Sequence, residues 1–276
     1  MGGSVQWRRK NAGNGGKKPE VPKTALEQLR SRFGGKFVDD IQGSHAEGVA
    51  RGIIAAADYF GDKLVDGVRV YNKGDAVQVG YSSLILGQAN VVTGEVWVAE
   101  NAMDGTYERR ESHSIVVGQD VEGTATQTTT HELTHIAANR YATQEIRDYN
   151  NVVETLLAKN NISTADYGEA YHLRKIDKII PRLVSKGMDP VDAYKAVGAT
   201  SNALRATGAF CESVVKDAKK GSGFGRLKDF QRAISSYAAD SYEEAVAEAF
   251  GDWFANGELA HPNSIRIVHS YEKLSN

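Results

Sequence analysis

Apolar residues recur at helical spacing in the first part of this chain. Leu26, Leu29 and Phe33 would share one face of a helix that ends at Gly34, and the alanine-rich stretch 38–60 indicates a second helix. Both segments are therefore predicted to be helical and to pack their apolar faces into a core.

Residues 66–83 and 90–101 carry a different pattern, in which β-branched side chains alternate with polar ones. Asn-Lys-Gly-Asp and Thr-Gly sequences interrupt these segments and favour tight turns, so short strands or a hairpin are predicted there, and 113–120 predicts a further strand. From Thr124 onward the pattern is helical, with breaks predicted at Pro181, near Gly187, at 221–225 and at Gly257. This order of elements predicts an α+β fold.

Length and composition fit one large domain or two modest ones. Of 276 residues, 41% are hydrophobic and 25% charged, which excludes a wholly disordered or collagen-like chain. We predict a flexible, basic, glycine-rich arm over residues 1–22 and a domain over 23–276. Within that domain, 23–142 would contain the sheet and 143–276 would be helical.

Charge and hydropathy restrict the partners. Lys+Arg 33 against Asp+Glu 35 leaves a net charge of −2, so nucleic acid is not expected as a partner except for weak contact through the basic arm. No stretch approaches the roughly 18 apolar residues of a membrane-spanning helix, and no apolar segment follows the basic N-terminus as in a signal peptide. Neither a membrane partner nor export by a cleaved signal is expected. Cys211 is the only cysteine in the sequence, so an internal disulfide is excluded.

The most specific motif is His131-Glu132-Leu133-Thr134-His135, within the predicted helical region. Residues four apart on a helix differ by about 40° in direction and about 6 Å in rise, so both imidazoles can reach one cation. Glu132 is turned by about 100° from His131 and can reach a water on that cation, where a general base belongs. We predict one Zn²⁺ per chain bound by His131 and His135, with Glu132 as catalytic base; metal-free surface histidines are the alternative.

Tetrahedral zinc with one open position needs a third protein ligand. A third histidine six residues after His135 is excluded, because that position is Tyr141. A carboxylate on a second helix remains, and Glu244 and Glu248 lie four residues apart on one predicted helical face. Glu244 could bind the metal, while Glu248 could accept the free N–H of a metal-bound imidazole.

Glu244 also has a structural interpretation. It could form a capping box with Ser241, which would use its carboxylate at the start of the helix. Asp240 with Glu243 would form an equally good box and leave Glu244 available for a metal.

These residues resemble the zincin metallopeptidases, and specifically their glutamate-ligand branch, the gluzincins. The most similar group is the anthrax lethal factor-like catalytic domains, some encoded by phages, in which a histidine–glutamate helix is paired with a later E-x-x-A-E-x-F helix. That element reads Glu244-Ala245-Val246-Ala247-Glu248-Ala249-Phe250 here. The resemblance implies that Glu244 is the third metal ligand and Glu248 its supporting partner. It also makes Tyr237, seven residues before Glu244, a candidate catalytic residue that stabilises the oxyanion; an ordinary half-buried tyrosine is the alternative.

The resemblance further implies a zincin-like fold over 23–276, in which an edge strand binds an extended substrate; residues 94–101 are our candidate for it. The expected function is a zinc-dependent endopeptidase that hydrolyses protein or peptide substrates, located in the cytoplasm or associated with a virion. The alternative is a virion-associated or interaction protein with a structural or degenerate zincin domain. The basic arm and the long helical region 145–233 motivate that alternative.

Overall fold

The computed structural model describes residues 24–37, 40, 41, 43, 46–71, 77–79, 83–99 and 121–275. The predicted arm over 1–22 and the predicted strand over 113–120 lie outside these residues. The α-helices within them are α1 (Ala25–Phe33), α2 (Ala46–Phe60), α3 (Asp62–Asp66), α4 (Val121–Tyr141), α5 (Gln144–Lys159), α6 (Thr164–Tyr171), α7 (Ile176–Ser185), α8 (Pro190–Lys219), α9 (Leu227–Arg232), α10 (Tyr242–Asn256) and α11 (Pro262–Leu274). The strands are β1 (Arg69–Tyr71), β2 (Val77–Val79), β3 (Ser83–Ile85), β4 (Gly87–Asn90) and β5 (Glu95–Val98).

The predicted α+β class is confirmed, because the described part of the chain is mostly helical and includes a small mixed sheet. Strand order in that sheet is β1-β5-β4; β1 runs parallel to β5, and β4 runs antiparallel to β5. Strands β2 and β3 form a separate antiparallel pair.

The prediction that 94–101 contains the edge strand is wrong. Strand β5 lies at the centre of the sheet, with β1 on one side and β4 on the other, and it buries Val96 and Val98 completely. Alternating valines favour a strand without showing how many neighbours it has. The terminal strands of the described sheet are β1 and β4, and β4 has the sequence Gly-Gln-Ala-Asn without a β-branched residue.

Three predicted helix boundaries differ from the structure. Helix α2 begins at Ala46 rather than residue 38, because Gly43 adopts a φ of 87° and Ile41 lies in an isolated β-bridge. Helix α4 begins at Val121, ahead of Thr124. Helix α7 continues through Pro181, where a break was predicted.

Helix α7 tolerates Pro181 because the helix buries several large apolar side chains. Pro181 has no N–H to donate to a carbonyl one turn earlier, which disfavours a helix interior. Ile179, Ile180 and Leu183 are buried against neighbouring helices, and burying such side chains contributes about 1.5–3 kcal/mol each. Tertiary packing therefore outweighs the local preference.

Helix α4 lies at the centre of the fold, between α2 on one side and α10 on the other. Its close approach to α2 depends on Gly52, because a Cβ there would lie 2.7 Å from the Cβ of Thr129. The hydroxyls of Thr130 and Thr134 donate to carbonyls one turn earlier, at 2.8 and 2.7 Å, so these polar side chains are buried with their hydrogen bonds made. No helix in the described residues has the length and apolar character needed to cross a bilayer.

Candidate metal centre

Helix α4 brings the three motif residues together. Ligand atoms of His131, Glu132 and His135 lie within 4.8 Å of one another. The Nε2 atoms of the two imidazoles are 3.2 Å apart, as expected for residues one helical turn apart that point at a common centre. His131 and Glu132 are buried, and His135 is partly buried. The motif therefore lies inside the fold and not on its surface.

Helix α10 supplies Glu244. Ser241 is the N-cap of this helix, and its hydroxyl accepts from the Glu244 N–H at 3.0 Å. Ser241 rather than Asp240 is therefore the capping residue. The Glu244 carboxylate, however, is turned toward the motif: its Oε2 lies 3.2 Å from Nε2 of His131 and 3.4 Å from Nε2 of His135.

These three atoms form a nearly equilateral triangle with edges of 3.2, 3.2 and 3.4 Å. Zinc–nitrogen and zinc–oxygen bonds of about 2.0–2.1 Å at tetrahedral angles require ligand atoms about 3.3–3.4 Å apart. Oε2 of Glu244 is also buried without a hydrogen bond from any residue that the structure describes. A buried carboxylate oxygen without a donor is costly. Two imidazoles and a carboxylate that converge in this way fit a zinc ion.

Glu248 orients one of the imidazoles. Its Oε1 lies 2.9 Å from Nδ1 of His131, so an Nδ1–H donates to the carboxylate and leaves Nε2 directed at the common centre. Burial lowers the pKa of His131, but Glu244 and Glu248 outweigh burial and hold that pKa well above its usual value. Burial likewise raises the pKa of Glu244, yet the imidazoles of His131 and His135 prevail and hold it well below its usual range. The metal-free centre is thus strongly coupled, with opposite charges stabilising each other.

Glu132 lies between this centre and strand β4. Burial raises its pKa, whereas His131 and His135 act to lower it. A Cβ built on Gly87 would lie 3.0 Å from Oε1 of Glu132, so the carboxylate lies directly against strand β4. Sequence reasoning missed Gly87, since a small residue in a short polar segment gives no signal of such a contact.

Tyr237 lies beside the centre, on a 3-10 turn that precedes α10. Its ring centroid is 6.0 Å from that of His131, with the planes inclined by 29°, and the side chain is 51% exposed. Burial of its hydroxyl raises the pKa of Tyr237 above its usual value, and the carboxylates of Glu244, Glu132 and Glu248 raise it further. The phenol therefore remains protonated at neutral pH and is a hydrogen-bond donor.

Gly251 allows α10 to approach α4 at the centre. A Cβ on Gly251 would lie 3.0 Å from the carbonyl oxygen of Gln127 and 3.5 Å from the Cβ of His131. Glu244, Glu248 and Gly251 recur at intervals of four and three, so they share the face of α10 that meets α4. This spacing was the available signal for Gly251, which sequence reasoning did not use.

The structure thus places every predicted site residue in one cluster: His131, Glu132, His135, Tyr237, Glu244 and Glu248. Such a cluster can bind a divalent cation, hold a carboxylate near it and present a phenol donor. Comparisons of the chain with protein-family models, with curated proteins and with solved structures gave no match.

Proposed function

We propose that this protein is a zinc-dependent endopeptidase of the zincin type, with one Zn²⁺ per chain held by His131, His135 and Glu244. The observation that carries this proposal is the triangle of ligand atoms at 3.2, 3.2 and 3.4 Å, which includes a buried carboxylate oxygen without a hydrogen-bond donor. The order of the motifs supports the glutamate-ligand branch, because the third ligand comes from a later helix.

Zinc at this centre would supply a Lewis acid and lower the pKa of water to about 7. Glu132 would accept the proton of the attacking water and donate it to the leaving amine. Its burial raises its pKa, which suits a group that first accepts and then donates a proton. Glu248 would hold His131 in one orientation, and the protonated Tyr237 would donate to the developing oxyanion.

The substrate class follows from strand β4. In the described sheet β4 pairs with β5 on one side only, and Glu132 lies against it. An extended peptide that pairs with β4 would bring its backbone next to the proposed base. We therefore propose protein or peptide substrates bound in extended conformation, on β4 instead of the segment 94–101.

Metal content tests the centre. Elemental analysis of purified protein after reconstitution should give about one zinc per wild-type chain and much less for Glu244→Ala. Glu258→Ala is the matched control, because Glu258 is exposed on the turn that follows α10 and should leave zinc unchanged. Wild-type protein without zinc would reject the proposal, and zinc retained by Glu244→Ala would reject Glu244 as a ligand.

Cleavage of an unstructured protein tests the chemistry. Wild type should cleave β-casein, and Glu132→Gln should keep its zinc while losing at least about 100-fold in rate, the usual contribution of a general base. Tyr237→Phe should lower kcat more than it changes KM, since the hydroxyl would act in the transition state. Tyr194→Phe, at an exposed tyrosine on α8, should cleave as wild type does. A Glu132→Gln variant of full activity would reject the role of the base.

A further inference from the structure

Hydrogen bonds within the turn between β4 and β5 fix its shape. Oδ1 of Asn90 accepts from the backbone N–H groups of Val92 and Thr93, at 3.1 and 3.2 Å. The carbonyl of Asn90 accepts from the Gly94 N–H at 2.7 Å, and the Thr93 hydroxyl accepts from the Glu95 N–H at 3.3 Å. Each of these four backbone donors has an acceptor inside the turn, so the turn is a defined unit that joins the ends of the two strands.

This turn lies against the helical region α5–α8. Val92 packs on the hydrophobic cluster that these helices form. Thr93 lies against Gly168 of α6, which is buried, and a Cβ at Gly168 would overlap the Cγ2 atom of Thr93. The helical region, which is remote in sequence, therefore sets where the turn lies.

The other end of β4 lies against α4. A Cβ at Gly87 would be 2.8 Å from Cγ2 of Thr128 and 3.0 Å from Oε1 of Glu132. The strand extends only from Gly87 to Asn90, which is about 10 Å at the usual rise per residue. One end of β4 is thus held by the helix that carries the proposed base, and the other end by the helical region.

We propose that the helical region α5–α8 positions β4 for substrate, through the contact between Thr93 and Gly168. A peptide that pairs with β4 must also bring its scissile carbonyl to the centre on α4, so the strand and the centre have to be in register. A turn that is already fixed reduces the cost of ordering the strand when the peptide binds. This inference rests on the proposed peptide binding at β4, and it makes Gly168 a positioning residue that acts through the turn.

Peptide binding to a protein that cannot cleave tests the proposal. Glu132→Gln is loaded with zinc, and its affinity for fluorescein-labelled β-casein is measured by anisotropy. Addition of Gly168→Ala should displace the turn and weaken binding roughly three- to tenfold, the net value of about one hydrogen bond. Zinc content should not change, because His131, His135 and Glu244 lie on other helices.

A third substitution provides the rescue. Thr93→Ser removes Cγ2 and keeps the hydroxyl that accepts from Glu95. Added to Gly168→Ala, it should restore most of the lost affinity, because it relieves the overlap between the two positions. Val92→Ala adds no atom and tests the same contact should Gly168→Ala fail to fold; it should also weaken casein binding.

Ile180→Val is the stability control, made in the same Glu132→Gln background. Ile180 is buried in the same cluster, on α7, and the loss of one methyl group should lower stability without displacing the turn. Its casein affinity should therefore equal that of Glu132→Gln, which a purely structural role of the cluster would not predict.

Unchanged affinity in Gly168→Ala and Val92→Ala, a loss that Thr93→Ser does not reverse, or an equal loss in Ile180→Val overturns the inference. A Glu132→Gln protein that does not bind casein overturns it as well. The zinc content and casein cleavage of the wild type are measured separately. A wild type that binds zinc and cleaves casein, beside variants of unchanged affinity, leaves the proposed function standing and removes only the role of Gly168.

Discussion

Gly251 of α10 lies directly against His131 of α4: a Cβ at position 251 would be 3.5 Å from the Cβ of the histidine and 3.0 Å from the carbonyl oxygen of Gln127. The two helices are therefore in close contact at the candidate metal centre. This close approach is what brings the carboxylates of Glu244 and Glu248 within 3.2 and 2.9 Å of the His131 ring nitrogens.

Gly251→Ala should separate α10 from α4. A methyl group 3.0 Å from a backbone oxygen forces one helix to move, and overpacking of this kind costs about 1–3 kcal/mol. The free energy of unfolding in urea should fall by that amount, and zinc affinity should fall with it, because Glu244 moves with its helix.

Gly198→Ala is the matched control for that substitution. Gly198 lies inside α8, is exposed, and a Cβ there would meet nothing within 4 Å. Alanine is a better helix former than glycine by about 1 kcal/mol, so this variant should be slightly more stable than wild type and bind zinc equally well. Equal losses in the two variants would show that the contact with His131 has no special role.

Glu248→Ala should weaken zinc binding without removing a proposed ligand. The carboxylate accepts from Nδ1 of His131 at 2.9 Å, and loss of such a partner typically costs 10- to 100-fold in metal affinity. Glu248→Gln keeps an acceptor and should lose less. Zinc dissociation constants from chelator competition measure the series, and equal affinity of Glu248→Ala and wild type would contradict it.

The local part of the site could be predicted from the sequence, because its geometry is helical. His131 and His135 are one turn apart, as are Glu244 and Glu248, and regular helices place each pair on one face whatever surrounds them. The meeting of the two helices was inferred from the chemistry a metal requires and from family resemblance. Periodicity alone contains no information on which helices touch.

The sheet was harder to predict for a physical reason. The alternating pattern at 94–101 predicted a strand, but such a strand can have one neighbour or two. Strand β4 has no such pattern, and the small residue Gly87 fits there because the side chain of Glu132 lies against it. Positions chosen for a close contact across the fold are visible only in the structure.

Gly168 of α6 allows the turn between β4 and β5 to pack closely against the helical region. A Cβ on Gly168 would overlap Cγ2 of Thr93, and Val92 packs against the hydrophobic cluster formed by α5 to α8. Gly168→Ala should therefore lower the free energy of unfolding by about 1–3 kcal/mol.

A double-mutant cycle tests this contact. Thr93→Ala removes the Cγ2 atom and should recover at least half of the cost of Gly168→Ala, which gives a coupling energy of about 0.5–1.5 kcal/mol between the two positions. Urea unfolding of the four proteins measures it. Additive effects would show that the steric cost of Gly168→Ala arises elsewhere.

Asp217 joins the end of α8 to α11 and should make stability depend on pH. It pairs with Lys273 and Lys220, both at 2.9 Å, and these ammonium groups lower the pKa of its carboxyl to about 2. A lowered folded-state pKa adds stability that is fully present above the unfolded-state value of about 3.9 and is lost as the pH falls through about 2.

Asp217→Asn should accordingly cost about 1 kcal/mol at pH 6, a value reduced from the full shift because both lysines are exposed and screened by solvent. The difference from wild type should shrink steadily between pH 4 and pH 2, since the wild-type carboxylate is then protonated and loses the same attraction. Urea unfolding at a series of pH values measures the free energy of unfolding of both proteins.

Asp229→Asn is the control. Asp229 forms a surface ion pair with Arg226, three residues earlier in the chain, so a change in the free energy of unfolding below about 0.5 kcal/mol is expected at every pH. A cost for Asp217→Asn that did not vary with pH would assign its effect to packing instead of charge.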